Sequence, residues 1–223
     1  MSIHALLLQL TYRVNGIKAH TINGYSTFVV GDLEMLHDVY GLRHQVYCDE
    51  LKWVKSLPSK IEVDQFDSES IHFAVTDPQG NVIATIRTLD MHQDWFVDQY
   101  FSPTLVYSTA LLKQQKTVEA SRLAINPKYR QRKLASNNIT ALDMLLTCLI
   151  DYSSDVQGRE MALITTTPLM GVTLKRRGVA IEQVGPILTM VDGCKVASFM
   201  CDLAVTKDCY RAYQAIVQLA NPQ

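Results

Sequence analysis

Thr117-Val118-Glu119-Ala120-Ser121-Arg122-Leu123-Ala124-Ile125 is the stretch on which the fold turns. Its composition reads as a strand, yet its apolar positions, Val118 and Ala120 and then Leu123 and Ile125, change parity between 120 and 123. Side chains of a regular strand alternate between faces with period two, so the change requires one extra residue, a β-bulge. A bulge puts Glu119 and Arg122 on the same face, a carboxylate beside a guanidinium where the backbone opens, and bulges are frequent next to active sites. The alternative is an ordinary strand whose two outward charges form a weak surface pair.

Outward from this strand the pattern alternates between helix and strand, with no repeat, low-complexity tract or linker, which predicts one domain over residues 1–223. A strand at Thr27–Val30 stops at Gly31, and Asp32 is a natural N-cap for a helix carrying Leu36, Tyr40, Arg43 and Tyr47 at three- and four-residue spacing. That spacing puts Arg43 on the inward face. Two β-rich runs between Ile71 and Leu89 flank Asp77-Pro78-Gln79-Gly80, a type I turn signature, and predict an antiparallel hairpin. Ser136–Tyr152 reads as an apolar helix, Met161–Thr166 as a strand, and Pro168 opens a helix ended by Gly178. Strands near Ile181 and over Val196–Leu203 and a last helix over Cys209–Leu219 complete an α/β sandwich with a mainly antiparallel sheet.

The 223 residues are 48% hydrophobic and 19% charged, with 21 basic and 22 acidic side chains. This excludes disorder, and no window reaches the roughly 18 apolar residues of a membrane span. The first ten residues lack a basic n-region and a cleavage site, so a cytoplasmic location is expected. Five cysteines without a C-x-x-C pair argue against a disulfide framework and against a metal site. The neutral total hides a polarised chain. Residues 113–133 hold seven basic side chains and one acid, a net of +6, whereas residues 32–69 hold nine acids and four bases, a net of −5. A basic loop entering a helix N-terminus suits a phosphate, and a solvated basic turn is the plain alternative. Nucleic acid is not expected, because the basic run lacks interleaved aromatics.

Leu42-Arg43-His44-Gln45-Val46-Tyr47-Cys48, Trp53, Glu62-Val63-Asp64-Gln65-Phe66-Asp67, Ile86-Arg87 and Glu119-Ala120-Ser121-Arg122 stand in an order that resembles the acyl-homoserine-lactone (autoinducer) synthases. They also resemble the related N-acyl amino acid synthases and exosortase-associated acyltransferases, all of GNAT acyltransferase type. The late Arg177-Gly178, Val184-Gly185-Pro186 and Asp192-Gly193 are similar to the same superfamily. The resemblance runs from about residue 30 to 205. It implies a single-domain three-layer sandwich and transfer of a fatty acyl group from the phosphopantetheine thioester of an acyl carrier protein to an amine. In one branch the amine is that of S-adenosylmethionine, which then lactonises; in the other it is that of a free amino acid. Val46-Tyr47-Cys48-Asp49-Glu50-Leu51 and Ser68-Glu69-Ser70-Ile71-His72, and the absence of a Pro-Thr-Thr run after Arg87, favour the amino acid branch. Trp53 and the Asp64/Asp67 pair are equally at home in the other.

An amine must lose a proton to attack a thioester, so Glu119, acting directly or through water, is the expected general base, with Arg122 orienting it. An N–H at the bulge would serve the oxyanion. A buried Arg43 requires an anionic partner, for which Asp64 and Asp67 are candidates. By resemblance this cluster, with Arg87, organises the amine side, and Tyr47 and Trp53 line the pocket. A structural ion-pair network is the alternative for the cluster. Lys128, Arg130 and Lys133 would hold the pantetheine phosphate. In Arg130-Gln131-Arg132-Lys133-Leu134-Ala135 a lysine replaces the first glycine of the GNAT phosphate loop, which favours a carrier-protein arm with one phosphate over free coenzyme A. No bound cofactor is implied, and a non-catalytic acyl-lipid binding module is the reading from a different class.

Overall fold

The computed structural model describes residues 20–135 and 138–220. The expectation of no N-terminal leader therefore lies outside the described residues, as does the Ser136 start expected for the long helix. The described backbone divides into two compact units, one of residues 20–87, 122–135, 138–149 and 215–220 and the other of residues 88–121 and 150–214.

In the first unit β1 (His20–Ile22) and β2 (Tyr25–Val29) form a hairpin in the register Ile22 opposite Tyr25. Asn23 and Gly24 between them both have positive φ, 51° and 81°, the requirement of a two-residue I′ turn. This Asn-Gly signal extends the single strand expected at Thr27–Val30. Helix α1 (Leu33–His44) starts at Asp32, whose side chain accepts the N–H of Met35 at 2.7 Å as expected of an N-cap. It buries Leu36, Val39, Leu42 and Arg43 and widens into a π-helical turn, Gln45–Glu50. β3 (Ile71–Thr76) pairs antiparallel with β2 and continues through the expected turn, in which Gly80 donates to the carbonyl of Asp77 at 2.9 Å, into β4 (Val82–Leu89). The strand order in this unit is β1-β2-β3-β4. Val30, Leu36, Val39 and Ala74 form one buried cluster, and Leu42, Val46 and Ala124 a second.

The second unit contains two short helices, α2 (Phe96–Tyr100) and α3 (Thr109–Lys113), and the first part of β5 (Thr117–Ile125), a strand with the expected bounds whose residues 122–125 belong to the first unit. β5 pairs in parallel with β6 (Met161–Thr166) from Thr117 opposite Met161 to Ala120 opposite Ile164. β6 pairs antiparallel with β9 (Lys195–Asp202), which also carries β7 (Ile181–Gln183) and the two-residue β8 (Leu188–Thr189). Apart from β5–β6 these registers are antiparallel, as expected. Helix α5 (Pro168–Arg176) is capped by Thr167 and followed by Gly178 at φ 95°.

Two helix boundaries differ from expectation. Helix α4 (Ala141–Asp151), which lies between β5 and β6, begins after Thr140 because Thr140 and Asp143 cap reciprocally: the N–H and hydroxyl of Thr140 donate to the Asp143 carboxylate at 2.7 and 2.6 Å, while Asp143 N–H donates back at 3.4 Å. The last helix, expected over Cys209–Leu219, is α7 (Arg211–Ala220), and a further short helix that the sequence reading did not contain, α6 (Leu203–Cys209), capped by Asp202, precedes it. The five cysteines are thiols outside any disulfide, three of them buried, and no helix among the described residues is long and apolar enough to cross a membrane.

Candidate active site

The parity change in β5 has a structural counterpart. Arg122 has φ 56°, the left-handed backbone of a bulged residue. From that position its guanidinium reaches Glu62, with Nε to Oε1 at 3.1 Å, and Asp64, with Nη2 to Oδ2 at 2.7 Å.

These contacts close a ring of six charges in the first unit. Arg43 of α1 bonds Glu62 through Nε at 2.5 Å and Asp67 through both Nη atoms at 2.6 and 3.0 Å. Arg87 of β4 bonds Asp67 at 2.6 Å and clasps Asp64 with two bonds of 2.6 and 2.8 Å. Read around, the order is Arg43, Glu62, Arg122, Asp64, Arg87, Asp67 and back to Arg43. Each guanidinium touches two carboxylates and each carboxylate two guanidiniums, so three charges of each sign cancel. The expected partner of Arg43 is half corrected: Asp67 is one, but Glu62 is the other, and Asp64 serves Arg87 and Arg122. The residue missed by sequence reasoning, Glu62, sits two positions before Asp64 in the same stretch.

Burial of the ring is uneven. The side chains of Arg43, Glu62, Asp67 and Arg87 are no more than 2% exposed, whereas Asp64 and Arg122 are 16% and 14% exposed. The ring thus has one open edge, and both signs of charge stand on it. Burial opposes ionisation of Asp67, but the bonded Arg43 and the nearby Arg87 outweigh it and hold the carboxyl well below the usual carboxylate range. His72 of β3, with Nε2 3.3 Å from the Asp67 carbonyl oxygen and its ring edge-on to Tyr40, is another member that the sequence did not single out. Its burial lowers its pKa to about 4.

Beside the open edge, the Arg122 guanidinium lies over the Tyr47 ring, 5.7 Å from its centroid, and the Trp53 ring lies 6.1 Å from that of Tyr47. Trp53 is 48% exposed. The Tyr47 hydroxyl donates to the carbonyl of Leu123 at 2.6 Å.

Glu119 lies in the second unit, 1% exposed, and its two oxygens accept the backbone N–H groups of Phe96 and Val97 at 2.6 and 2.8 Å where α2 starts. Of the expected phosphate residues, Lys128 and Lys133 are exposed, whereas Arg130 is engaged by Glu50 in a two-bond pair, both bonds 2.6 Å, and by the Ile125 carbonyl. Helix α4 starts at Ala141, and the N–H of Thr140 before it donates to the Asp143 carboxylate.

A model of the autoinducer synthase family matches residues 30–207. The acyl-homoserine-lactone synthase of Aeromonas hydrophila is 26% identical over 153 residues, 68% of this chain and 72% of that protein. That of Acinetobacter nosocomialis is 28% identical over 168 residues, 72% of this chain and 88% of that protein. Among solved structures, TofI in a ternary complex with an inhibitor and MTA has a TM-score of 0.70 at 20% identity, over 85% of this chain and 98% of that one, which shows a shared fold. With its mixed α/β architecture and mainly antiparallel strands of GNAT-like acyltransferase type, and with a family match across most of its length, the chain belongs to the autoinducer synthase family of acyltransferases.

Proposed function

We propose that the protein is an acyl-homoserine-lactone synthase. It would transfer an acyl group from a phosphopantetheine thioester to the amine of S-adenosylmethionine and release the lactone. The observation that carries this reading is the open edge of the charge ring, where a carboxylate and a guanidinium stand side by side next to two aromatic rings. The α-ammonium of S-adenosylmethionine pairs with Asp64, its α-carboxylate with Arg122, and its sulfonium with the π faces of Tyr47 and Trp53. The four buried members of the ring hold those two side chains in place.

A general base takes the amine proton directly or through water, the role that the family resemblance implies for Glu119. The neutral amine attacks the thioester carbonyl, and collapse of the tetrahedral intermediate expels the pantetheine thiolate, leaving an amide. The acyl-S-adenosylmethionine carboxylate then attacks its own γ-carbon, closing the lactone as the sulfonium departs as a neutral thioether. The exposed Lys128 and Lys133 would meet the donor's phosphate and the acidic surface of a carrier protein; Arg130 joins them only by giving up Glu50. Short stretches such as Ser68-Glu69-Ser70 favour an amino acid acceptor, whereas the match to the autoinducer synthase family model and to curated acyl-homoserine-lactone synthases supports S-adenosylmethionine.

Incubating the protein with acyl carrier thioesters or acyl-coenzyme A, and either S-adenosylmethionine or free amino acids, decides the acceptor by mass spectrometry. Acyl-homoserine lactone is the expected product. An acyl amino acid without lactone would assign the other branch, and acyl-thioester binding without turnover would assign a non-catalytic module.

A further inference from the structure

We propose that the phenol of Tyr47 is a latch that holds the Arg122 bend of β5 in the conformation that completes the charge ring. Arg122 occupies left-handed backbone at φ 56°, which is strained for a residue with a Cβ. Such a conformation persists only where its surroundings fix it. The residue that follows, Leu123, has its carbonyl held by the Tyr47 hydroxyl at 2.6 Å. The other side of Arg122 is held by the same residue, since the guanidinium lies over the Tyr47 ring while it bonds Glu62 and Asp64.

Tyr47 is itself set by the π-helical turn Gln45–Glu50, whose extra residue per turn changes where the side chain points relative to α1. Its carbonyl accepts the N–H groups of Trp53 and Val54 at 3.0 and 3.2 Å, so the segment bearing the exposed Trp53 hangs on the same residue. One side chain and its carbonyl therefore join the bend in β5, the open edge of the ring and the Trp53 segment. Burial pushes the phenol up to about 12, which keeps it a donor throughout the working pH range. The ring alone would serve as packing, but the hydroxyl points at one backbone oxygen, and it is the hydroxyl to which we assign the positioning role.

Tyr47→Phe separates the two, because it removes the oxygen and keeps the ring. The latch is read in the protein without ligand by amide hydrogen exchange over residues 122–125, and its consequence by the kinetics with S-adenosylmethionine, the second arm resting on the proposed function. Expected are exchange about fivefold faster in that segment, the size of one lost hydrogen bond, with an unchanged circular-dichroism spectrum. The KM for S-adenosylmethionine should rise about fivefold while that for the acyl donor stays constant. Unchanged exchange at 122–125 overturns the latch, and so does faster exchange with an unchanged KM for S-adenosylmethionine. Should the wild-type protein make no product from S-adenosylmethionine, the proposed function fails by itself, and the exchange arm still decides the latch: faster exchange supports it and unchanged exchange overturns it.

Discussion

Asp67 shows at the scale of one residue why the charge ring holds together. Its buried side chain bonds two guanidiniums and accepts the N–H of Asp64 at 2.7 Å. Removing one member of a buried ion network leaves the others without compensation, typically a loss of about 3–5 kcal/mol. Asp67→Asn is therefore expected to lower stability by about that amount in urea denaturation, and a loss below 1 kcal/mol would show that the ring relaxes around the gap. The exposed Arg130–Glu50 pair is the control: Glu50→Gln is expected to change stability by less than about 1 kcal/mol, because water screens a surface pair. His72 sets a pH dependence. Its folded pKa of about 4 lies below the ordinary value of 6.5, so between those values the unfolded chain binds a proton that the folded chain refuses. Stability thus rises with pH through this window and is lost on acidification from about 6.5 to 4, by up to about 3 kcal/mol. Denaturation midpoints at pH 7 and pH 5, compared between the wild type and His72→Asn, should show a smaller slope in the variant.

At the scale of elements, helix ends and one close contact carry the specific predictions. Thr140 both caps α4 and is capped in return through Asp143. Thr140→Ala is expected to cost about 0.5–2 kcal/mol in thermal or urea unfolding, and an unchanged midpoint would mean that the packing of α4 alone sets its start. In α5, a Cβ on Gly171 would lie 2.3 Å from the Phe199 ring of β9, so the helix sits as close to that strand as glycine allows. Gly171→Ala must displace the ring, and overpacking of this kind costs about 1–3 kcal/mol. Phe199→Leu in the same background should recover part of the loss if the clash is the cause.

At the scale of the whole molecule the polarised chain resolves into cross-pairing. Arg122 and Arg130 of the basic segment bond Glu50, Glu62 and Asp64 of the acidic one, so much of the sequence polarity is spent on internal contacts. The two compact units are interleaved in sequence, since the chain passes between them at residues 87–88, 121–122, 149–150 and 214–215. Neither can be cut out as one segment, and we propose that they unfold together. The chain holds two tryptophans, Trp53 in the first unit and Trp95 in the second. Fluorescence of Trp53→Phe and Trp95→Phe variants then reports one unit each. Coincident urea midpoints, after correction for the stability lost by each substitution, are expected; two separated transitions would divide the chain into independent domains.

The β5 strand and its bend, the 71–89 hairpin, the Asp32 cap and the Gly178 stop were all legible in the sequence, because each rests on side-chain parity or on residues within four positions of one another. Resemblance to the family, added to the chemistry of single residues, carried the candidates Arg43, Asp64, Asp67, Arg87 and Arg122 as a set. Their wiring was not legible. Which carboxylate meets which guanidinium depends on where residues up to 60 positions apart arrive in space, and charge type alone does not rank Glu62 against Asp64 as the partner of Arg43. For the same reason the Arg130 pairing with Glu50, the amide bonds of Glu119 and the Tyr47 hydrogen bond to Leu123 were left to tertiary structure: a side chain's role is set by what desolvates it and what it faces, and neither is a property of the neighbouring sequence.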